Sequence, residues 1–199
     1  MGSSTVVNSR FKTWPGKKKI FQISHVKNIN KKNIKTIFIN KENPINKIKN
    51  LPKMVFEINN YLKYTKNKVV VIEGASWIFY SFFIIFALKI ISTNFKIIYI
   101  SHSIESEIRK KYSNKFIFYL TKFLENLVFK YSDVSTSVSK KEKSKILKIY
   151  NKKTKLYPNA IDITNVKPAR QKIHDYIIYS GSYQYKPNKE AIDFLKTKY

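Results

Sequence analysis

The chain has 199 residues, with 39 Lys or Arg against 12 Asp or Glu, a formal net charge of +27 and no Cys. At 43% hydrophobic and 15% aromatic it is too apolar to be intrinsically disordered. The missing Cys excludes a disulfide framework and a thiolate zinc site, and three widely spaced His do not form a metal cage.

Short β-rich runs alternate with longer helical ones. A helical stretch runs from Thr5 to Trp14, then Lys19–Ser24 (KIFQIS) and Ile34–Ile39 (IKTIFI) read as strands, the second followed by the loop NKENP. Ile45–Tyr64 is a helix that Pro52 breaks or starts. Lys68–Ile72 (KVVVI) is a continuous β-branched run, as in a strand buried on both faces, with Glu73 and Gly74 in the loop beyond it. Ala75–Ile91 is an apolar helix whose uncharged core, Ala75–Leu88, falls short of the roughly 18–20 residues of a spanning helix. Phe95–Ile100 (FKIIYI) is the next strand. Ile104–Tyr131 is helical with a break near Ser113-Asn114. Val134–Val138 is a short strand, and Ser139 with Glu142 three residues on is a capping-box signature for a helix through Tyr150. Lys155–Tyr157 is a short strand before Pro158; Thr164–Asp175 is a polar linker; Tyr176–Tyr179 is a strand; and a final helix starts with Asn188 as N-cap.

Such alternation predicts an α/β fold built on a parallel sheet with helices on both faces, whose ligands gather at the carboxyl ends of the strands. No phosphate-binding loop, dinucleotide fingerprint or nucleophile elbow is present. Only three of the basic residues are Arg (Arg10, Arg109, Arg170), while nucleic-acid readers favour Arg for bidentate contacts. Together with abundant Lys, Asn, Ile, Tyr and Phe, this makes the charge a compositional bias with an affinity for anionic surfaces, and no nucleic-acid partner is expected.

Four segments then stand in a telling order: YISHSIESEIRKKY, FLENLVFKYSDVSTSVSKKEKSKI, KLYPNAID and DYIIYSGSYQYKPNKEAIDFL. From about Lys68 onward this order resembles the GT-B glycosyltransferases of group 1 or family 4. Two departures stand out: Ala160 replaces the Gly usual in the P-N-G segment, and the E-x7-E carboxylates are missing. The resemblance implies a Rossmann-like, doubly wound N-terminal domain on the acceptor side over residues 1–163, lacking its first strand. A linker at 164–175 and the first βα unit of a second, donor-binding Rossmann-like domain at 176–199 would follow. As an expectation, a chain of this extent has no transferase activity alone.

For the full enzyme the resemblance implies transfer of a sugar from a nucleotide-sugar donor to a glycan or lipid-linked acceptor, as in cell-surface polysaccharide synthesis. It implies no metal and no cofactor, and a cytoplasmic location with peripheral contact to anionic membrane. His102 would lie near the acceptor sugar or the reaction centre, with a helix cap as the structural alternative. Glu105 is either its catalytic companion or a carboxylate favourable at a helix N-terminus. Gly2, Ser3 and Ser4 would offer amides to the acceptor, or are a frayed terminus; Gly181 and Ser182 would meet the donor diphosphate, or form an ordinary tight turn. Pro158, Asn159 and Asp162 read as an interdomain turn. The rival reading is a non-enzymatic basic α/β module that binds a membrane surface or nucleic acid, discriminated by where the Lys residues and exposed aromatics lie.

Overall fold

The computed structural model describes residues 10–24, 33–41, 43–66, 68–74, 77–92, 94–159 and 186–198. Among them are strands β1 (Ile20–Ser24), β2 (Ile34–Phe38), β3 (Val69–Gly74), β4 (Lys96–Ser101), β5 (Val134–Ser137) and β6 (Lys155–Leu156). The helices are α1 (Pro44–Lys63), α2 (Ile78–Ile91), α3 (Glu105–Tyr112), α4 (Lys115–Tyr131), α5 (Lys140–Tyr150) and α6 (Lys186–Lys198). A further helical turn covers residues 10–13. The α/β fold with parallel strands is as expected, and Rossmann-like in kind.

The strands fall into two parallel sheets: β1 beside β2, and β3-β4-β5-β6 in chain order. β4 is an inner strand of the larger sheet. Ile97, Tyr99 and Ile100 are all buried, so alternate side chains are covered on both of its faces. A single core joins Leu51, Val55, Ile58 and Leu62 of α1, Ile78, Ile84, Ile85 and Leu88 of α2, and Val128 of α4 to this strand, with Phe21 and Ile23 of β1 packed against it. Each fully buried Ile or Leu there contributes about 1.5–3 kcal/mol.

Local chemistry sets the helix ends. Asn43 accepts the Asn46 N–H (2.7 Å) at the start of α1, and Asn114 accepts the Ile117 N–H (2.9 Å) at the start of α4, so the expected break at Ser113-Asn114 separates α3 from α4. Half of the expected capping box forms: Ser139 Oγ accepts the Glu142 N–H at 3.1 Å, while Glu142 Oε2 is buried with no hydrogen-bond partner among the described residues. Asn151 ends α5 in the left-handed region, at φ 52°.

Three local expectations need correction. Pro52 neither starts nor breaks α1 but lies inside it. It sits on the exposed side, where water reaches the carbonyl its missing N–H leaves free, while Leu51, Val55, Ile58 and Leu62 hold the opposite side in the core. Glu73 and Gly74 belong to β3 and not to a loop, because pairing continues through Glu73 with Ile100 and Gly74 with Ser101. Helix α6 begins at Lys186, so Asn188 lies within it; Pro187 fits the first turn, where its missing N–H has no helical partner to lose. The linker at 164–175 and the strand at Tyr176–Tyr179 lie outside the described residues.

Candidate functional site

In a parallel sheet every strand ends on the same edge, so the residues at or just past β3, β4 and β6 come together although they are far apart in the chain. Glu73 is the penultimate residue of β3. Gly74 pairs with Ser101, the last residue of β4, so His102 stands one step beyond it. Their side chains meet: His102 Nε2 lies 2.6 Å from Glu73 Oε2. The same oxygen accepts a hydrogen bond from Arg10 Nη1 at 2.8 Å. Arg10 Nη2 donates to Asn159 Oδ1 at 2.8 Å, and its guanidinium lies over the Tyr157 ring, 4.8 Å from the centroid. One Arg, 6% exposed, thus bridges the ends of β3 and β6. The rigid two-nitrogen fork of a guanidinium makes this possible; a single ammonium nitrogen would not reach both partners.

The network assigns the His102 tautomer. Glu73 Oε2 can only accept, so Nε2 carries a proton and donates it, which leaves Nδ1 as the ring nitrogen open to a ligand. Among the described residues neither Nδ1 of His102 nor Oε1 of Glu73 has a hydrogen-bond partner. Arg10 Nε is buried and unpaired. Burial pushes the Glu142 carboxyl up. The cluster therefore offers a hydrogen-bonding imidazole, a carboxylate oxygen and a fixed positive charge along one edge.

Glu105 takes a different part. Its Oε2 accepts the Ile78 N–H at 2.7 Å, capping α2 where Trp77 supplies no side-chain cap, and its Oε1 binds Arg109 at 2.8 Å. His102 is therefore paired with Glu73, 29 residues earlier, and not with the Glu105 of its own H-x-x-E. The loop that carries His102 is held from below. Ser101 Oγ donates to the Ser103 carbonyl at 3.0 Å. Glu125 of α4, 0% exposed, accepts the N–H groups of Glu105 (2.8 Å) and Ser106 (3.1 Å), which fixes the first turn of α3. Tyr150 of α5 donates to Glu125 Oε2 at 2.5 Å, and its hydroxyl is 2.6 Å from Ser106 Oγ. Burial raises the Glu125 carboxyl, and burial with the neighbouring Glu125 charge raises the Tyr99 and Tyr150 phenols.

Gly2, Ser3, Ser4, Gly181 and Ser182 lie outside the described residues. Gly74 is required by contact: a Cβ there would lie 2.8 Å from Tyr99 Cζ. Asn159, read as part of a turn, instead holds Arg10. Arg10 was missed altogether, although one signal pointed to it. In a chain that overwhelmingly uses Lys, an Arg runs against the compositional drift. A cleft lined by Asn59, Leu62, Lys68 and Phe95 opens at the amino ends of β3 and β4, the opposite edge from this cluster, and gathers no comparable polar groups. Among the described residues no three His, Asp or Glu side chains assemble as metal ligands would. No family model, no curated protein and no solved structure matches the chain.

Proposed function

We propose that the chain is the acceptor-side part of a GT-B-like glycosyltransferase, which transfers a sugar from a nucleotide-sugar donor to a glycan or lipid-linked acceptor. The observation that carries this reading is the convergence of Arg10, Glu73 and His102 at the carboxyl edge of a parallel sheet. It is joined by the resemblance of the segments around His102, Ser139 and Pro158 to that group. In this reading His102 Nδ1 hydrogen-bonds an acceptor hydroxyl, Glu73 fixes the ring, and Arg10 fixes Glu73. Glu105 acts through the backbone, by holding α2. Gly181 and Ser182 would meet the donor diphosphate, and the protein would work at the cytoplasmic face of a membrane, on lipid-linked acceptors.

Only three His are present, so the ring signals of His102 are separable by NMR from those of His25 and His174. Titration with a panel of pyranosides, polyprenyl-phosphate-linked sugars and nucleotide-sugars is expected to shift the His102 signals. Glu73→Gln, which loosens the ring, is expected to weaken that response. A His102 ring that responds to no sugar in the panel would overturn the reading.

A further inference from the structure

The outer face of α4 carries Phe116, Tyr119 and Phe123 at i, i+3 and i+7, exposed by 72%, 63% and 59%. At 1.5 Å per residue they form a straight ridge about 10 Å long. Lys115 and Lys122 flank the ridge, and a groove beside Tyr119, Lys122 and Phe123 is closed on the α5 side by Lys148. Acidic residues are withheld from this face. The sole carboxylate of α4, Glu125, is buried under Tyr150, and the sole carboxylate of α5, Glu142, is half-buried at the start of its helix.

We propose that this α4–α5 face docks on an anionic lipid bilayer, with Phe116, Tyr119 and Phe123 entering the headgroup boundary and the lysines resting against lipid phosphates. Charge complementarity selects the partner. A face of exposed lysines with no exposed carboxylate is attracted to a negative surface, and aromatic rings on a protruding ridge gain by leaving water there. A single-stranded nucleic acid fits less well, because the rings stand on a convex ridge and no Arg accompanies them. Glu125, in the middle of α4, accepts the Glu105 and Ser106 N–H groups just past β4, which fixes the helix that carries the ridge to the loop of His102. The docking itself does not rest on the proposed function.

The test is co-sedimentation of the whole chain with vesicles of phosphatidylcholine containing one-third phosphatidylglycerol, against vesicles of phosphatidylcholine alone. Binding to the anionic vesicles is expected, weakened about tenfold for each of Phe116→Ser and Phe123→Ser. Each of Lys122→Glu and Lys148→Glu should weaken it about fivefold. Lys49→Glu and Lys53→Glu on α1, made singly, each alter net charge by the same amount but should leave binding nearly unchanged. All of these side chains are exposed, and circular dichroism checks that each variant stays folded. No binding to anionic vesicles, or equal losses from either α1 substitution, would overturn the proposal. So would Phe-dependent binding to polyuridylate without vesicle binding. No sugar enters this measurement, so a docking face that survives a silent His102 titration separates the two readings.

Discussion

Replacing Glu125 by Ala removes a carboxylate that satisfies three buried donors: the Glu105 and Ser106 N–H groups and the Tyr150 hydroxyl. Tyr150 keeps Ser106 Oγ as a partner, so the main loss falls on the two amides at the start of α3. Each stranded donor costs about 1–3 kcal/mol, and the truncated side chain leaves a void besides, giving about 3–5 kcal/mol in all. That is a large part of the roughly 5–15 kcal/mol expected of a native domain. Glu125→Gln keeps the volume but sets an amide nitrogen against a donor, for about 1–3 kcal/mol. Urea titration of the three proteins at neutral pH reads both differences, provided their slopes agree.

The pH dependence adds a second check on the same residue. Burial raises the Glu125 carboxyl in the folded chain, so above the ordinary glutamate value of about 4.3 the folded form holds more proton than the unfolded one. Stability contributed by this group therefore falls as pH rises through that window and is level above it. The proton has a place in the fold: it can donate to the Tyr150 oxygen while Tyr150 donates to Ser106 Oγ, since that hydroxyl pair can run either way. The advantage of the natural chain over Glu125→Gln should accordingly narrow between acid and neutral pH. An Ala variant that loses less than about 1 kcal/mol, or a gap that widens with pH, would refute the account of this network.

Three other substitutions test the frame around the site. Gly74→Ala should cost about 1–3 kcal/mol in thermal unfolding, because the new methyl meets the buried Tyr99 ring; an unchanged melting temperature would show that β3 shifts freely. Arg10→Lys keeps the charge but cannot hold Glu73 and Asn159 together, so urea unfolding should show a loss of about 1–3 kcal/mol; a neutral outcome would remove Arg10 as the bridge. Asp133 is partly desolvated, yet the Ile97 N–H at 2.7 Å and Lys89 outweigh that and hold its carboxyl below the usual range. Its contribution is thus present above the ordinary Asp value and lost as pH falls through the folded one. Solvent reaches both Asp133 and Lys89, so Asp133→Asn should cost no more than about 1 kcal/mol at neutral pH, with the gap closing in acid.

What could be read from the sequence was local. The β-branched run of β3, the Asn114 break and the Ser139 N-cap depend on contacts within a few residues, and each was legible from spacing alone. The site depends on contacts separated by 29, 63 and 149 residues, created only when parallel strands deliver their ends to one edge. His102 was identifiable because it follows a strand. Its partner was not, because Glu105 is nearer in the chain and the register that brings Glu73 to it belongs to the sheet. Pro52 failed for a related reason: propensity places it at a boundary, but the buried stripe of α1 decides the helix.

A chain this rich in Lys places its structural information in its scarce acidic residues. The carboxylates do fixed work: Glu73 joins Arg10 to His102, Glu105 caps α2, Glu125 anchors α3, and Asp133 ties the Ile97 amide to Lys89. Glu107 holds Lys145, and Glu190 of α6 holds Lys111 and Tyr112 of α3. Acids spent on internal joints are not available to neutralise the exterior, so the surplus positive charge is not spread evenly. It is left bare where helices lack a surface carboxylate, and α4 with α5 is such a place, with three exposed rings in the same row. The net charge alone would suit any polyanion. Its distribution, with apolar rings at its centre and no Arg, is what favours a lipid surface over a nucleic acid.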